Sequence, residues 1–128
     1  MSREKVTTGK PWEKNISHGL GIITSGRLLI TSGVTARDPN GGLVGPNDME
    51  AQLNQIFSNL SDILAAAGGD FSKVVKYTIF VTDIEACMAS QGAYRKYVID
   101  HPASTLVEIS KLVIPEMVAE VEAIVALD

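Results

Sequence analysis

The chain has 128 residues, 45% of them hydrophobic and 20% charged, with a net charge of −4 at pH 7. That length fits one domain, 1–128, able to bury about two-thirds of its unfolded surface without staples, and the composition excludes a disordered chain. No apolar run approaches the roughly 18 residues that a membrane span needs, and the lone Cys87 cannot close an intrachain disulfide.

Residues 1–20 are polar and read as irregular. The opening MSREKVTTGK is charged, with no apolar signal-peptide core behind it. Together with the single cysteine this predicts a reducing, cytoplasmic location. The eleven Lys and Arg are scattered from Arg3 to Lys111, with Arg95-Lys96 the one adjacent pair. A nucleic-acid binder normally concentrates such charge in a patch or stripe, so no nucleic-acid partner is expected.

GIITSGRLLITSG (21–33) holds two β-branched runs around Ser25-Gly26, a hairpin pattern. Pro39, Gly41, Gly42, Gly45 and Pro46 then mark a loop, and Asn47 or Asp48 can cap the helix that follows. In that helix Met49, Leu53, Ile56, Phe57, Leu60 and Leu64 recur at helical spacing until Gly68-Gly69. KVVKYTIFVTD (73–83) alternates as a strand, with Val75, Tyr77, Ile79 and Val81 on one face. Asp83 can cap a second helix running to about Tyr97. TLVEISKL (105–112) and VAEVEAIVAL (118–127) complete the order ββαβαββ.

This order predicts an α+β domain, one mixed sheet with both helices on one face. Two helices leave the other face uncovered, and a large apolar face on a soluble chain marks an interface, so a homo-oligomer is expected. Glu120 and Glu122, two apart in the last strand, share a face. From the pattern alone that is either a solvated sheet face or a site needing a carboxylate. Cys87, within EACMAS, reads as a small buried hydrophobe. His18, His101 and Cys87 show no metal-ligand spacing, and the loop glycines form no phosphate-binding fingerprint. His101, before Pro102, reads as a turn residue, and Glu122 as structural.

Four stretches in order resemble the RidA/YjgF family: LLITSGVTA (28–36), residues 51–84, HPASTLVEISKL (101–112) and EVEAIVA (120–126). The resemblance implies a chorismate-mutase-like fold assembled as a homotrimer, with ligand clefts between subunits and a small molecule as ligand. It also implies hydrolysis of reactive enamines and imines, such as 2-aminoacrylate, to a keto acid and ammonia without a cofactor. Glu120 matches the carboxylate that positions or activates the attacking water. Such a group in a partly dry cleft can take the water's proton and pass it to the departing nitrogen. Ser32 and Gly33 match a cleft serine-glycine pair. Gln91 stands where many members have Asn, Tyr94 matches an aromatic of the second helix, and His18 aligns with a tyrosine.

Residue 104 departs from the family's pattern. The imine hydrolases carry an arginine that clamps the substrate carboxylate, whereas this chain reads Pro102-Ala103-Ser104-Thr105. Ser104 and Thr105 offer hydroxyls in its place. KPWEK (10–14) and VIPEMVAEVEA (113–123) resemble an arginine-lacking branch. The competing expectation is a trimer that binds a metabolite without chemistry; RNA cleavage, also attached to the family, fits the acidic charge poorly.

Overall fold

The computed structural model describes residues 3–16 and 18–128. Its core is a four-stranded mixed sheet in the order β3-β6-β4-β5. These strands are β3 (Leu28–Ile30), β4 (Val74–Val81), β5 (Ala103–Glu108) and β6 (Ala119–Ala126). β6 runs antiparallel to both β3 and β4, and β4 runs parallel to β5. Helices α1 (Met49–Ala66) and α2 (Ile84–Ala89) complete the α+β fold.

The expected hairpin at 21–33 does not form. β2 (Gly21–Thr24) instead pairs with β1 (Arg3–Val6), within the segment read as irregular, in a separate two-stranded ribbon. Strand propensity specifies extended backbone but not the partner. β3 takes its hydrogen bonds from β6, and β1 lacks the apolar alternation that would have revealed it. The Arg3 guanidinium ties the ribbon to the main sheet, donating to the carbonyls of Val74 and Asp100.

The α1 boundaries follow from local chemistry. Of the two candidate caps, Asp48 is the one used; its Oδ1 accepts from the Ala51 N–H at 3.0 Å. At the other end Gly68 sits at φ +80°, its N–H reaching the Ala65 carbonyl while the Gly69 N–H reaches that of Leu64. This pair of bonds satisfies carbonyls the helix would otherwise leave open, and the left-handed position favours glycine. Leu53, Ile56, Phe57 and Leu60 of α1 are fully buried, each such side chain contributing about 1.5–3 kcal/mol. Phe57 packs edge-on to Tyr77 and lies nearly parallel to Tyr94 and Tyr97.

The second helix is shorter than expected. Asp83 caps it, accepting from the Ala86 N–H, but α2 ends at Ala89 and gives way to single 3-10 turns at Gln91–Ala93 and Arg95–Tyr97. Ser90 and Gly92, both poor helix formers, fall at that break.

Strand alternation holds along residues 75–81 of β4 and 119–125 of β6. Val75, Tyr77, Ile79 and Val81 of β4 and Ala119, Val121, Ala123 and Val125 of β6 are buried. The opposite face presents Lys76, Thr78 and Phe80 beside Ile124, Glu122 and Glu120. Ile30, 70% exposed, pairs with Ile124 there. Within KPWEK, Glu13 is structural: its carboxylate accepts from the Thr7 hydroxyl, from the Thr8 hydroxyl and N–H, and from the Lys10 N–H. Led by the Thr7 bond, these lower its pKa to about 2.

Candidate functional site

Four of the residues singled out in the sequence, His18, Gln91, Tyr94 and Ser104, line one cavity of about 360 Å³ on the helix side of β5. Ser104 lies in register with Tyr77 and Leu106 with Ile79, so residues 104 and 106 share the helix-side face of the sheet. Ile79 and Leu106 form an apolar floor under the polar groups. His18 is brought in by its neighbour. The Gly19 N–H bonds the Pro102 carbonyl at 3.0 Å, and residue 19 bridges Ala103. A Cβ at Gly19 would stand 2.7 Å from the His101 carbonyl oxygen, so only glycine lets this segment run so close to the β5 edge. His101 itself adopts φ +51° before Pro102, consistent with a turn role.

Tyr94 is mainly a wall. It is 7% exposed, its ring stacks on Phe57, and its hydroxyl accepts from the Cys87 thiol at 3.8 Å. Burial, reinforced by Cys87, pushes its pKa up to about 12. Burial likewise raises the Cys87 pKa, which keeps the thiol protonated and poorly nucleophilic.

Glu120 lies elsewhere. It pairs with Phe80 on the sheet face away from the helices and is half-buried there. Its carboxylate rests on Gly33: a Cβ at that position would come within 2.1 Å of Oε2 and 2.6 Å of Cδ. Ser32 and Gly33 also line a separate open groove of about 510 Å³ with Arg37 and Asn59. Thr105 is on the open face too, where its hydroxyl accepts from Lys76 Nζ at 2.6 Å. Glu122, exposed opposite Thr78, has a lateral solvent-facing position.

The candidate residues are therefore divided between two places in one chain. His18, Gln91, Tyr94 and Ser104 are on one side of the sheet; Gly33 and Glu120 meet on the other. Arg95, not among the residues singled out from the sequence as site candidates, lines the His18–Ser104 cavity and donates to Gln91 Oε1 at 3.3 Å. The spacing of four between residues 91 and 95 was the available signal.

Among the described residues no helix is long and apolar enough to cross a membrane. The family model described as endoribonuclease L-PSP matches residues 15–127. A 2-iminobutanoate/2-iminopropanoate deaminase of Salmonella typhimurium is 34% identical over 103 residues, covering 77% of this chain and 79% of that protein. The crystal structure of the Rid-family protein YyfB from Yersinia pestis, described as of unknown function, superposes with a TM-score of 0.86 at 26% identity. That match covers 99% of this chain and all of the other. Escherichia coli TdcF, solved with bound serine, gives a TM-score of 0.69 at 26% identity over 81% of this chain and 84% of its own. With a model match across almost its whole length and a relative above 30% identity, the chain belongs to the endoribonuclease L-PSP family, the YjgF/Rid family.

Proposed function

We propose that the protein is a cofactor-independent deaminase that hydrolyses small reactive imines and enamines in clefts between the subunits of a homotrimer. The observation that carries this reading is the placement of the Glu120 carboxylate against Gly33, on the sheet face opposite the His18–Ser104 cavity. A second copy presenting its open face to that cavity would unite the two halves. Ile30 at 70% and Leu28 at 45% exposure supply apolar surface for such an assembly. The reaction named for the Salmonella relative is the deamination of 2-imino acids, which matches a site of one carboxylate, the Arg95 guanidinium and several other polar groups.

The chemistry balances without a cofactor. Glu120 accepts a proton from water as the water oxygen bonds to the imine carbon, and the C=N electron pair moves to nitrogen. The protonated glutamate returns its proton to that nitrogen, giving a carbinolamine. The glutamate then takes the hydroxyl proton and passes it to the amino nitrogen, so the carbonyl forms as the C–N bond breaks and ammonia leaves. An enamine first takes a proton at its β-carbon and gives one up from its nitrogen, becoming the imine. Ser32, Gln91, Ser104 and His18 orient the substrate by hydrogen bonds, with Tyr94 as the cavity wall; Thr105 contributes from the open face. A cytoplasmic location accords with a lone cysteine left unpaired. The net charge of −4 does not favour the RNA-cleaving activity in the family description.

The test generates imines from several amino acids with an amino-acid oxidase and traps survivors with semicarbazide. The protein is expected to reduce semicarbazone formation and speed keto-acid release for at least one short-chain imine. Unchanged trapping for every imine, while a metabolite still raises the melting temperature and is recovered intact, would replace the deaminase with a binding module.

A further inference from the structure

The cavity beside β5 is lined by one guanidinium, that of Arg95, and by no carboxylate. Arg95 stands on the 3-10 turn that follows Tyr94, exposed at the cavity rim. Among the described residues the sole ion pair is Arg27–Asp128 at 3.2 Å, so no acidic side chain neutralises Arg95. One of its terminal nitrogens donates to Gln91 Oε1, and that bond holds the side chain along the wall. A guanidinium has five N–H donors, so the Gln91 bond leaves others for a ligand. The Ser104 hydroxyl and the His18 ring add polar groups to the cavity, above the apolar floor of Ile79 and Leu106.

A planar cation at the rim of an apolar-floored cavity selects a small molecule with one carboxylate and a short aliphatic tail. We infer that Arg95 is the carboxylate anchor of this cavity, and that its ligands are 2-imino and 2-oxo monocarboxylates rather than neutral imines or ketones. The choice of imino and oxo acids rests on the deaminase reading; the anionic selectivity rests on the cavity. Arg95 binds and orients the ligand and takes no part in proton transfer. In this chain the charge comes from the turn after α2, while β5 supplies only hydroxyls.

Calorimetric titration of the whole protein with sodium 2-oxobutanoate tests this, with 2-oxobutanamide as the uncharged counterpart of the same shape. Arg95→Gln is expected to weaken 2-oxobutanoate binding about tenfold or more, as for loss of a charge-assisted pair. Arg95→Lys should keep part of the affinity, and the amide should bind all three proteins alike. Melting temperatures should agree within experimental error, since the side chain is exposed. Equal 2-oxobutanoate binding by wild type and Arg95→Gln overturns the assignment, as does wild type that binds no 2-oxobutanoate. If wild type binds 2-oxobutanoate through Arg95 yet leaves imine trapping unchanged, the anchor stands and the deaminase reading fails.

Discussion

Gly33→Ala is expected to lower kcat/KM for imine hydrolysis about a hundredfold, near the low end of what a positioned general base contributes, with little change in melting temperature. Gly33 is not among the glycines at positive φ, so its backbone accepts alanine without strain. The added methyl would meet Glu120 Oε2 at 2.1 Å, Cδ at 2.6 Å and Cγ at 3.0 Å. The carboxylate is the free end of a flexible side chain, so it can swing aside and the fold survives. Its position does not survive. Proton transfer needs heavy atoms about 2.6–3.2 Å apart, and a displacement of an ångström takes the base out of that range. Steady-state kinetics alongside a thermal melt make the comparison. Activity within twofold of wild type would mean that the Gly33–Glu120 contact has no part in the chemistry.

The second large effect concerns Gln52, the one fully buried polar side chain in the described core. Its Nε2 donates to the carbonyls of Gly45 at 2.9 Å and Glu116 at 2.8 Å, and its Oε1 accepts from the Val118 N–H at 2.8 Å. These bonds fasten the loop entering α1 to the segment entering β6, the strand that carries Glu120. Gly45 and Glu116 keep other donors, Asp48 N–H and Asn47 N–H. Val118 N–H would be left without its acceptor. Gln52→Leu has similar size, so the loss is one of hydrogen bonding rather than of volume. It should destabilise the protein by about 2–3 kcal/mol, a drop in melting temperature of roughly 6–15 °C for a chain of this length. Chemical and thermal denaturation at fixed protein concentration measure it. A shift under 2 °C would show that the three bonds contribute nothing net.

Much of the fold was legible because its signals are local. α1 declares itself through Asp48, its apolar repeat and Gly68, all within one continuous stretch. The faces of β4 follow from alternation alone, since residues i and i+2 share a side. Pairing was less legible. Nothing in GIITSGRLLITSG states that β2 will choose Arg3–Val6 and β3 will choose β6. β1 carries a single half-buried residue, Arg3, so it has no hydrophobic pattern to read. The helix expected to reach Tyr97 failed at Ser90 and Gly92, where low propensity outweighed the continuing apolar spacing.

The same distinction applies to the site. The candidate residues came from the family resemblance, but their division between two sheet faces depends on register. Ser104 and Thr105 are adjacent in sequence and face opposite sides. Gly33 and Glu120 touch across a long sequence separation, which no local motif announces.

Subunit mixing tests most directly the claim that Glu120 of one copy serves the cavity of another. Glu120→Gln removes the base, and Ser104→Trp fills the cavity; each protein alone is expected to lose nearly all imine hydrolysis while keeping its fold by circular dichroism. Dissociated and reassembled together in equal amounts, they should regain roughly a quarter of wild-type activity, the share of clefts that pair an intact cavity with an intact Glu120 in a cyclic trimer. Affinity tags on the two variants verify that mixed assemblies have formed. Mixed assemblies without recovered activity would contradict the shared cleft and return the chemistry to groups within a single chain.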